Sequence, residues 1–305
     1  MSDAFEIVEL SPHVRAAIGA NGASNAAFIQ TADGVIVVDS LSSIAAASAL
    51  RDEVLDSGQS VIAVVLTHHH ADHWAGLDVW GDVPVLAHTN AVKILQAVSV
   101  EYGVRTGEVL PFPALLRLWV GRAAADLLGV DSTNGIVTRL KSLAAREPVR
   151  LPAVRPIDPG TLLADGPVRV RIESLGEGHG DDDLVVSVSD VGQDVLILGD
   201  QAFFDRVPVV GGPYLDAWID LLDGITASGS AAILLPGHGR PGRSTAPRRQ
   251  AAYLRAIRDQ SASVLPDDWD DERSRNWHDV NRALLRAYKQ EESRTVDESR
   301  AETTE

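Results

Sequence analysis

Three features of this 305-residue chain predict a layered α/β fold. Strand-length apolar runs separated by Gly and Asn crowd the segment before Asp39, the pattern of consecutive antiparallel strands. The wholly apolar run Val61 to Leu66 is followed at once by a dense polar segment, as expected of a buried strand that carries chemistry at its C-terminal end. The second half then repeats the order of strands, helix and strand, with a His or Asp beside glycine at successive strand ends.

Taken in order, Phe5 to Leu10, Val14 to Ile18, Ala26 to Gln30 and Val35 to Val38 read as strands. Ile44 to Leu55 reads as a helix with Ser42 or Ser43 as its N-cap. The Val61 to Leu66 strand comes next, then a short strand at Val83 to Ala87 and a helix from Asn90 to Val98. Between Glu108 and Pro156 the pattern turns helical (Ala114 to Leu128, Gly135 to Ala145) and is bracketed by Pro111, Pro113, Pro152 and Pro156, which marks an insertion. Strands resume at Val168 to Glu173, Leu184 to Ser189 and Val195 to Leu198, followed by a helix at Tyr214 to Ser228 and a buried strand at Ala231 to Leu235. Two further helices, Ala246 to Val264 and Ser274 to Glu291, flank the acidic Pro266 to Glu272 linker. The domain reading is therefore one layered α/β domain over 1–242 with its helical insertion at 108–156, a helical extension over 243–292 and a disordered acidic tail over 293–305.

Composition narrows the functions open to such a fold. There is no cysteine, which removes disulfides, thiolate nucleophiles and zinc-thiolate sites together. Any metal must be held by nitrogen and oxygen. The 43 acidic against 27 basic residues leave a formal charge of −16, which repels nucleic acid and anionic lipid. No run approaches the length of a membrane span, and the N-terminus has no basic-then-apolar leader pattern. A cytoplasmic protein acting on a small molecule, without nucleic acid or membrane as partner, is the expectation; homo-oligomerisation is left open.

The densest signal is Thr67-His68-His69-His70-Ala71-Asp72-His73. Side chains alternate along an extended segment, so His68 and His70 face one cation while His69 faces away as a hydrogen-bonded structural residue. A helix over Asp72 to Leu77 would put Asp72 and His73 in its first turn, an oxygen and a nitrogen for a second cation. His179, Asp200 and His238 each stand beside glycine at strand ends of the second half. Seven N and O donors divide into two sites of three or four.

His-x-His-x-Asp-His after a buried strand, then Gly-x-Gly-His, Gly-Asp and Pro-Gly-His-Gly in that order, resemble the metallo-β-lactamase superfamily over Glu6 to Gly242. The resemblance implies an αββα four-layer sandwich, here with a helical insertion and C-terminal helices, and a binuclear site. It implies one metal on His68, His70 and His179, another on Asp72, His73 and His238, and Asp200 as the bridging aspartate of glyoxalase II-like branches. Asp39, at the end of Val37-Val38-Asp39-Ser40, matches an aspartate that supports the site from behind. Gly180 stands where many members have threonine, so the branch (glyoxalase II-like, lactonase-like or alkylsulfatase-like) stays unassigned.

Other residues carry weaker signals. His88 fits a strand-to-helix turn, and His13 and His278 read as structural. Trp74 packs into the core or lines the pocket, as do Phe203, Phe204 and Tyr214. In the insertion, Leu115, Leu116, Leu118 and Trp119 either cover an apolar acyl group or bury the insertion itself. Asp181 to Asp183 reads as a polar turn capping local N–H groups.

Two divalent cations about 3.5 to 4 Å apart share a hydroxide that is nucleophilic at neutral pH. Zn2+ is the expected metal, with Mn2+ or Fe2+ compatible, and Asp72 is the expected catalytic residue, orienting the nucleophile and carrying its proton. The reading is hydrolysis of an ester-type bond: thioester, lactone, carboxylic ester or sulfate ester. Alternatives are a β-lactamase or phosphodiesterase, an iron-dependent persulfide dioxygenase-like oxidoreductase, and a noncatalytic metal-binding module.

Overall fold

Alternating apolar residues at the N-terminus form a meander. Phe5–Ser11 (β1), Val14–Gly19 (β2), Ala26–Gln30 (β3) and Val35–Val38 (β4) pair antiparallel in sequence order. Val61–Val65 (β5), Val85–His88 (β6) and Arg155–Ile157 (β7) then add in parallel and complete a seven-stranded sheet. The description rests on a computed structural model and covers residues 4–210, 213–259, 269 and 271–286.

A second, five-stranded sheet holds Leu162–Ala164 (β8), Arg169–Glu173 (β9), Val185–Ser189 (β10), Val195–Phe203 (β11) and Ile233–His238 (β12), with β11 and β12 parallel. Strand periodicity decides how the sheets stack. In β4, Ile36 and Val38 point at the second sheet and meet Val170, Ile172, Val186 and Leu235, whereas Val35 and Val37 point the other way. There they pack on the helices Ile44–Leu55 (α1) and Thr89–Tyr102 (α2). Being buried on both faces is why this strand reads as an unbroken apolar run. The far side of the second sheet is covered by Leu215–Ser228 (α6) and Pro247–Arg258 (α7). The result is the four-layer αββα sandwich. Among the described residues, no helix is long and apolar enough to cross a membrane.

The structure corrects several elements of the sequence reading. No helix spans residues 72–77; short 3-10 turns at Ala71–His73 and Leu77–Trp80 stand there, with Trp74 outside helical geometry between them (φ −138°, ψ 2°). The expected Ala114 to Leu128 helix is two, Phe112–Val120 (α3) and Arg122–Leu128 (α4), because Gly121 adopts φ 78°, ψ 159°. Strands β7 and β8 were not expected, and β7 re-enters the sheet inside the segment read as insertion. Strand β11 runs on to Phe203 rather than ending at Leu198. Gly135–Arg146 (α5) forms as expected, with the Asn134 side chain accepting from the Ile136 N–H at 2.8 Å. Residues 272–286 are helical, and Trp277, Val280 and Leu284 bury against Tyr253, Leu254 and Ile257 of α7. Helix α7 ends at Arg258 with Asp259 as its C-cap; residues 260–264 and 287–291 of the two expected helices, most of the expected linker and the acidic tail lie outside the described residues.

Candidate metal centre

The parallel strands β4 and β5 end side by side, and this edge organises the site. Asp39, just past β4 and held at φ 61°, accepts from the Thr67 N–H (2.9 Å), the Thr67 hydroxyl (2.8 Å) and His73 Nδ1 (2.8 Å). One carboxylate thereby fixes the turn after β5 and leaves His73 Nε2 as the free ring nitrogen. On the second sheet, Gly199 (φ 53°) lets β11 pass Thr67; a Cβ there would lie 2.6 Å from the Thr67 Cβ. Gly237 does the same for β12, since a side chain at that position would occupy the place of Asp200 Oδ1.

All seven sequence-predicted donors converge. His68, His70, His179 and Asp200 form one buried group, and Asp72, His73 and His238 another, with the donor atoms of each group within 4.8 Å of one another. Asp200 stands between them. Its Oδ2 faces His179 Nε2 at 3.5 Å and His68 Nε2 at 3.7 Å, and its Oδ1 faces His73 Nε2 at 3.1 Å and His238 Nε2 at 3.5 Å. Asp72 Oδ2 lies 3.3 Å from His238 Nε2, while His179 Nε2 and His70 Nδ1 approach to 2.9 Å.

The donor set fits divalent cations. His68 Nε2, His73 Nε2 and Asp200 Oδ1 are buried with no hydrogen-bond partner among the described residues, an expensive state unless a cation supplies the missing interaction. Burial holds the His68, His70, His179 and His238 imidazoles below their ordinary pKa, and thus neutral with a lone pair to give. Burial pushes the same way on His73, but Asp200, Asp39 and Asp72 outweigh it and raise this group. Against the effect of burial, His238, His73 and His68 hold the Asp200 carboxyl well below the carboxylate range, and His73 and His238 bring Asp72 to about 2. Four neutral imidazoles beside ionised carboxylates are the protonation states that metal ligation requires; His73, held charged by the carboxylates around it, gives up its Nε2 proton when a cation takes its place.

A family model described as the metallo-beta-lactamase superfamily matches residues 19–238, a span that includes every one of these donors. The chain belongs to the metallo-beta-lactamase superfamily. No curated protein matches it. Solved structures of the same fold include the stereoselective inverting sec-alkylsulfatase Pisa1 from Pseudomonas sp. (TM-score 0.60, 16% identity, 94% of this chain and 50% of that one). They also include a metallo-beta-lactamase from Pontibacter korlensis (TM-score 0.55, 16% identity, 82% and 99%) and the DIM-1 metallo-beta-lactamase exposed to ceftazidime (0.54, 17%, 83% and 97%). The chain spans half the length of the alkylsulfatases it matches. At these identities the likeness is one of fold.

Around this metallo-beta-lactamase superfamily site the structure sorts the remaining sequence candidates. His69 turns away, as expected, and binds Asp182 Oδ2 through its backbone N–H (2.8 Å) and Nδ1 (2.9 Å). Asp183 accepts from the Gly180 N–H at 2.7 Å, so these acids do cap local N–H groups. Trp74 is a core residue whose indole N–H donates to the His69 carbonyl. His88 caps α2 through the Asn90 N–H. Leu115, Leu116 and Leu118 bury the insertion on the core, and Trp119 lines a cavity of about 650 Å³ beside Asp72. Tyr214 lines a second cavity, of about 570 Å³, at His70 and His179. Phe203 stacks on His238, with ring centroids 5.0 Å apart and planes 9° from parallel.

Sequence reasoning missed the residues that orient the ligands from a distance. Asn25 donates to the carbonyls of Pro236 and Gly239, both at 2.8 Å, and so frames His238. Ser24 donates to the Asp72 carbonyl at 2.5 Å. His179 Nδ1 donates to the Val209 carbonyl at 2.9 Å, and that loop is gripped on either side by buried Asn281, which accepts from the Val210 N–H (3.0 Å) and donates to the Pro208 carbonyl (2.7 Å). Asn281 belongs to the C-terminal helix, for which the sequence offered no role.

Proposed function

We propose that this chain is a binuclear metal-dependent hydrolase acting on an ester-type bond of a small molecule, with His68, His70 and His179 holding one ion, Asp72, His73 and His238 the other, and Asp200 between them. The observation that carries the reading is the division of Asp200: each oxygen faces a different histidine group. A donor set of nitrogen and oxygen without thiolate suits Zn2+, and also Mn2+ or Fe2+. Two such cations supply Lewis acidity and bring the pKa of water toward neutrality.

The protein's own contribution follows from exposure. The Asp72 side chain keeps 13% of its surface accessible, against 0% for His73, 3% for Asp200 and 4% for His238. Among these, Asp72 is the group that reaches the cavity; its low pKa keeps it ionised, and with Oδ2 turned to His238 the other oxygen is left to take a proton from the nucleophile and return it to the leaving atom. His179 and His73, locked by Val209 and Asp39, keep their donor atoms aimed inward. An ester-type bond is preferred over a β-lactam because Asp200 matches the bridging aspartate of glyoxalase II-like hydrolases. A cavity of about 650 Å³ is of small-molecule size.

Metal analysis of protein purified without added metal, followed by a screen of thioesters, lactones, aryl esters, sulfate esters, phosphodiesters and β-lactams on the zinc- and manganese-loaded forms, tests this reading. About two ions per chain and turnover of an ester class are expected. Tight iron with oxygen-dependent chemistry, or a loaded site that turns over nothing in the screen, would overturn it.

A further inference from the structure

In a chain of formal charge −16, the wall of the cavity beside Asp72 gathers three arginines, Arg139, Arg146 and Arg273, against the acids Asp271, Glu272 and Asp72 itself, whose Oδ2 is turned to His238 in the metal-donor cluster. Arg139 and Arg273 also line the adjoining cavity, where Arg206 joins them. These side chains come from α5, from the loop after β11 and from the C-terminal helix, so it is the tertiary fold that collects them.

Their arrangement is crowded. A Cβ placed on Gly22 would lie 2.6 Å from Arg206 Nη1 and 3.5 Å from Arg273 Nη1, so both guanidinium groups press on one spot. Arg206 is only 9% exposed, and its Nε finds no hydrogen-bond partner among the described residues. Arg273 donates to the Asn21 carbonyl at 2.8 Å, which engages it without neutralising it. Among the described residues Arg139 has neither a hydrogen bond nor an ion pair. Of the acids in this lining, Asp271 accepts from the N–H (2.9 Å) and hydroxyl (2.7 Å) of Ser274, and no ion pair joins it or Glu272 to Arg139, Arg206 or Arg273 among the described residues. Cations gathered in a partly desolvated place repel one another unless an anion binds there. The other side of the same cavity is apolar, formed by Trp119, Ile136, Leu140, Leu143 and Trp277.

We infer that this cavity is an anion subsite that selects substrates in which an oxyanion, as carboxylate or sulfate, is joined to an apolar group, the oxyanion being gripped by Arg139 and Arg273 with Arg206 behind them. As a statement about substrates it rests on the hydrolase reading, but the binding it requires can be measured without turnover. Guanidinium forks bind such oxyanions with charge-assisted hydrogen bonds.

Calorimetric titration of the zinc-loaded protein with octanoate, octyl sulfate and neutral octanamide tests it. At least one of the two anions should bind, and octanamide should bind at least about tenfold more weakly. Arg139→Gln and Arg273→Gln should each weaken the anion at least about tenfold with metal content unchanged, whereas the charge-matched control Arg51→Gln on α1 should not. Which anion binds more tightly separates a carboxylate from a sulfate source. Anion binding that is equal in the parent and both cavity variants, or octanamide binding as well as the anions, would overturn the subsite. If binding follows the arginines while no ester in the screen is turned over, the subsite stands and the hydrolase reading falls. Ester turnover with no arginine-dependent anion binding has the opposite meaning.

Discussion

Replacing Asp200 by Asn preserves shape but alters the one group that faces both halves of the site. In the parent, Oδ1 looks to His73 and His238 at 3.1 and 3.5 Å, and Oδ2 to His179 and His68 at 3.5 and 3.7 Å. An amide keeps a single acceptor oxygen, so one histidine group must face an NH2 that cannot ligate. A unit charge about 4 Å from a dication is worth about 8 kcal/mol at an effective dielectric of 20, an upper limit because Asn also escapes the desolvation cost of the carboxylate. Retaining a third of that, about 2.7 kcal/mol, weakens the second ion about 100-fold. Competition titration against a chromogenic chelator, with elemental analysis at each point, should resolve one tight and one weakened ion, and activity should recover in part at high metal. Asp190→Asn, the same chemical change between the β1–β2 turn and the end of β10, serves as control and should bind both ions like the parent. An Asp200→Asn protein that holds two ions as tightly as the parent refutes the bridging assignment.

Asp72→Ala removes the donor that reaches the cavity and should lower turnover of whichever ester the screen finds by at least about 100-fold, while the His68, His70 and His179 group keeps its ion; near-parental kcat would remove Asp72 from proton transfer. Asn281→Ala strips the loop at Val209 of two backbone hydrogen bonds in a fully buried setting, so urea unfolding should register a loss of about 2–4 kcal/mol and metal titration a weaker ion at His179. Unchanged metal affinity in that variant would mean the loop holds its shape without the helix. For Asp190, hydrogen bonds from Ser11, His13 and Val191 outweigh burial and hold the carboxyl below its ordinary 3.8. A depressed folded pKa means stabilisation that is present above 3.8 and lost as pH falls through the folded value, so the difference in Tm between parent and Asp190→Asn should be full near neutrality and shrink in acid. A difference that is independent of pH would show that charge is not its source.

The donors were legible because four of the seven are local and the other three carry a local mark. His68, His70, Asp72 and His73 fall within one short stretch after an apolar strand, and His179, Asp200 and His238 each stand beside a glycine. Asp39 was legible as the end of a neighbouring strand. What orients these groups was not, because Asn25 acts on Pro236 and Arg206 on Gly22 across separations of 211 and 184 residues, and no periodicity encodes such pairings. The missed strands β7 and β8 have three residues each, and the first contains Pro156, which belongs at a sheet edge rather than in a run of strand formers. Where a helix was expected after Ala71, a 3-10 turn stands instead, from which His73 reaches Asp39 and Asp72 reaches His238, long-range contacts that no local pattern encodes.

The grip of Asn281 on the loop beside His179 also sets an order of events in time. Chains emerge from the ribosome N-terminus first, so His68, His70, Asp72 and His73 are available long before residues 272–286 exist. Until that last described helix docks, the Val209 carbonyl that orients His179 has no clamp from Asn281. An ion met by the nascent chain would therefore find an incomplete set of the proposed donors, and full loading of the proposed site would belong to a chain in which that helix has docked.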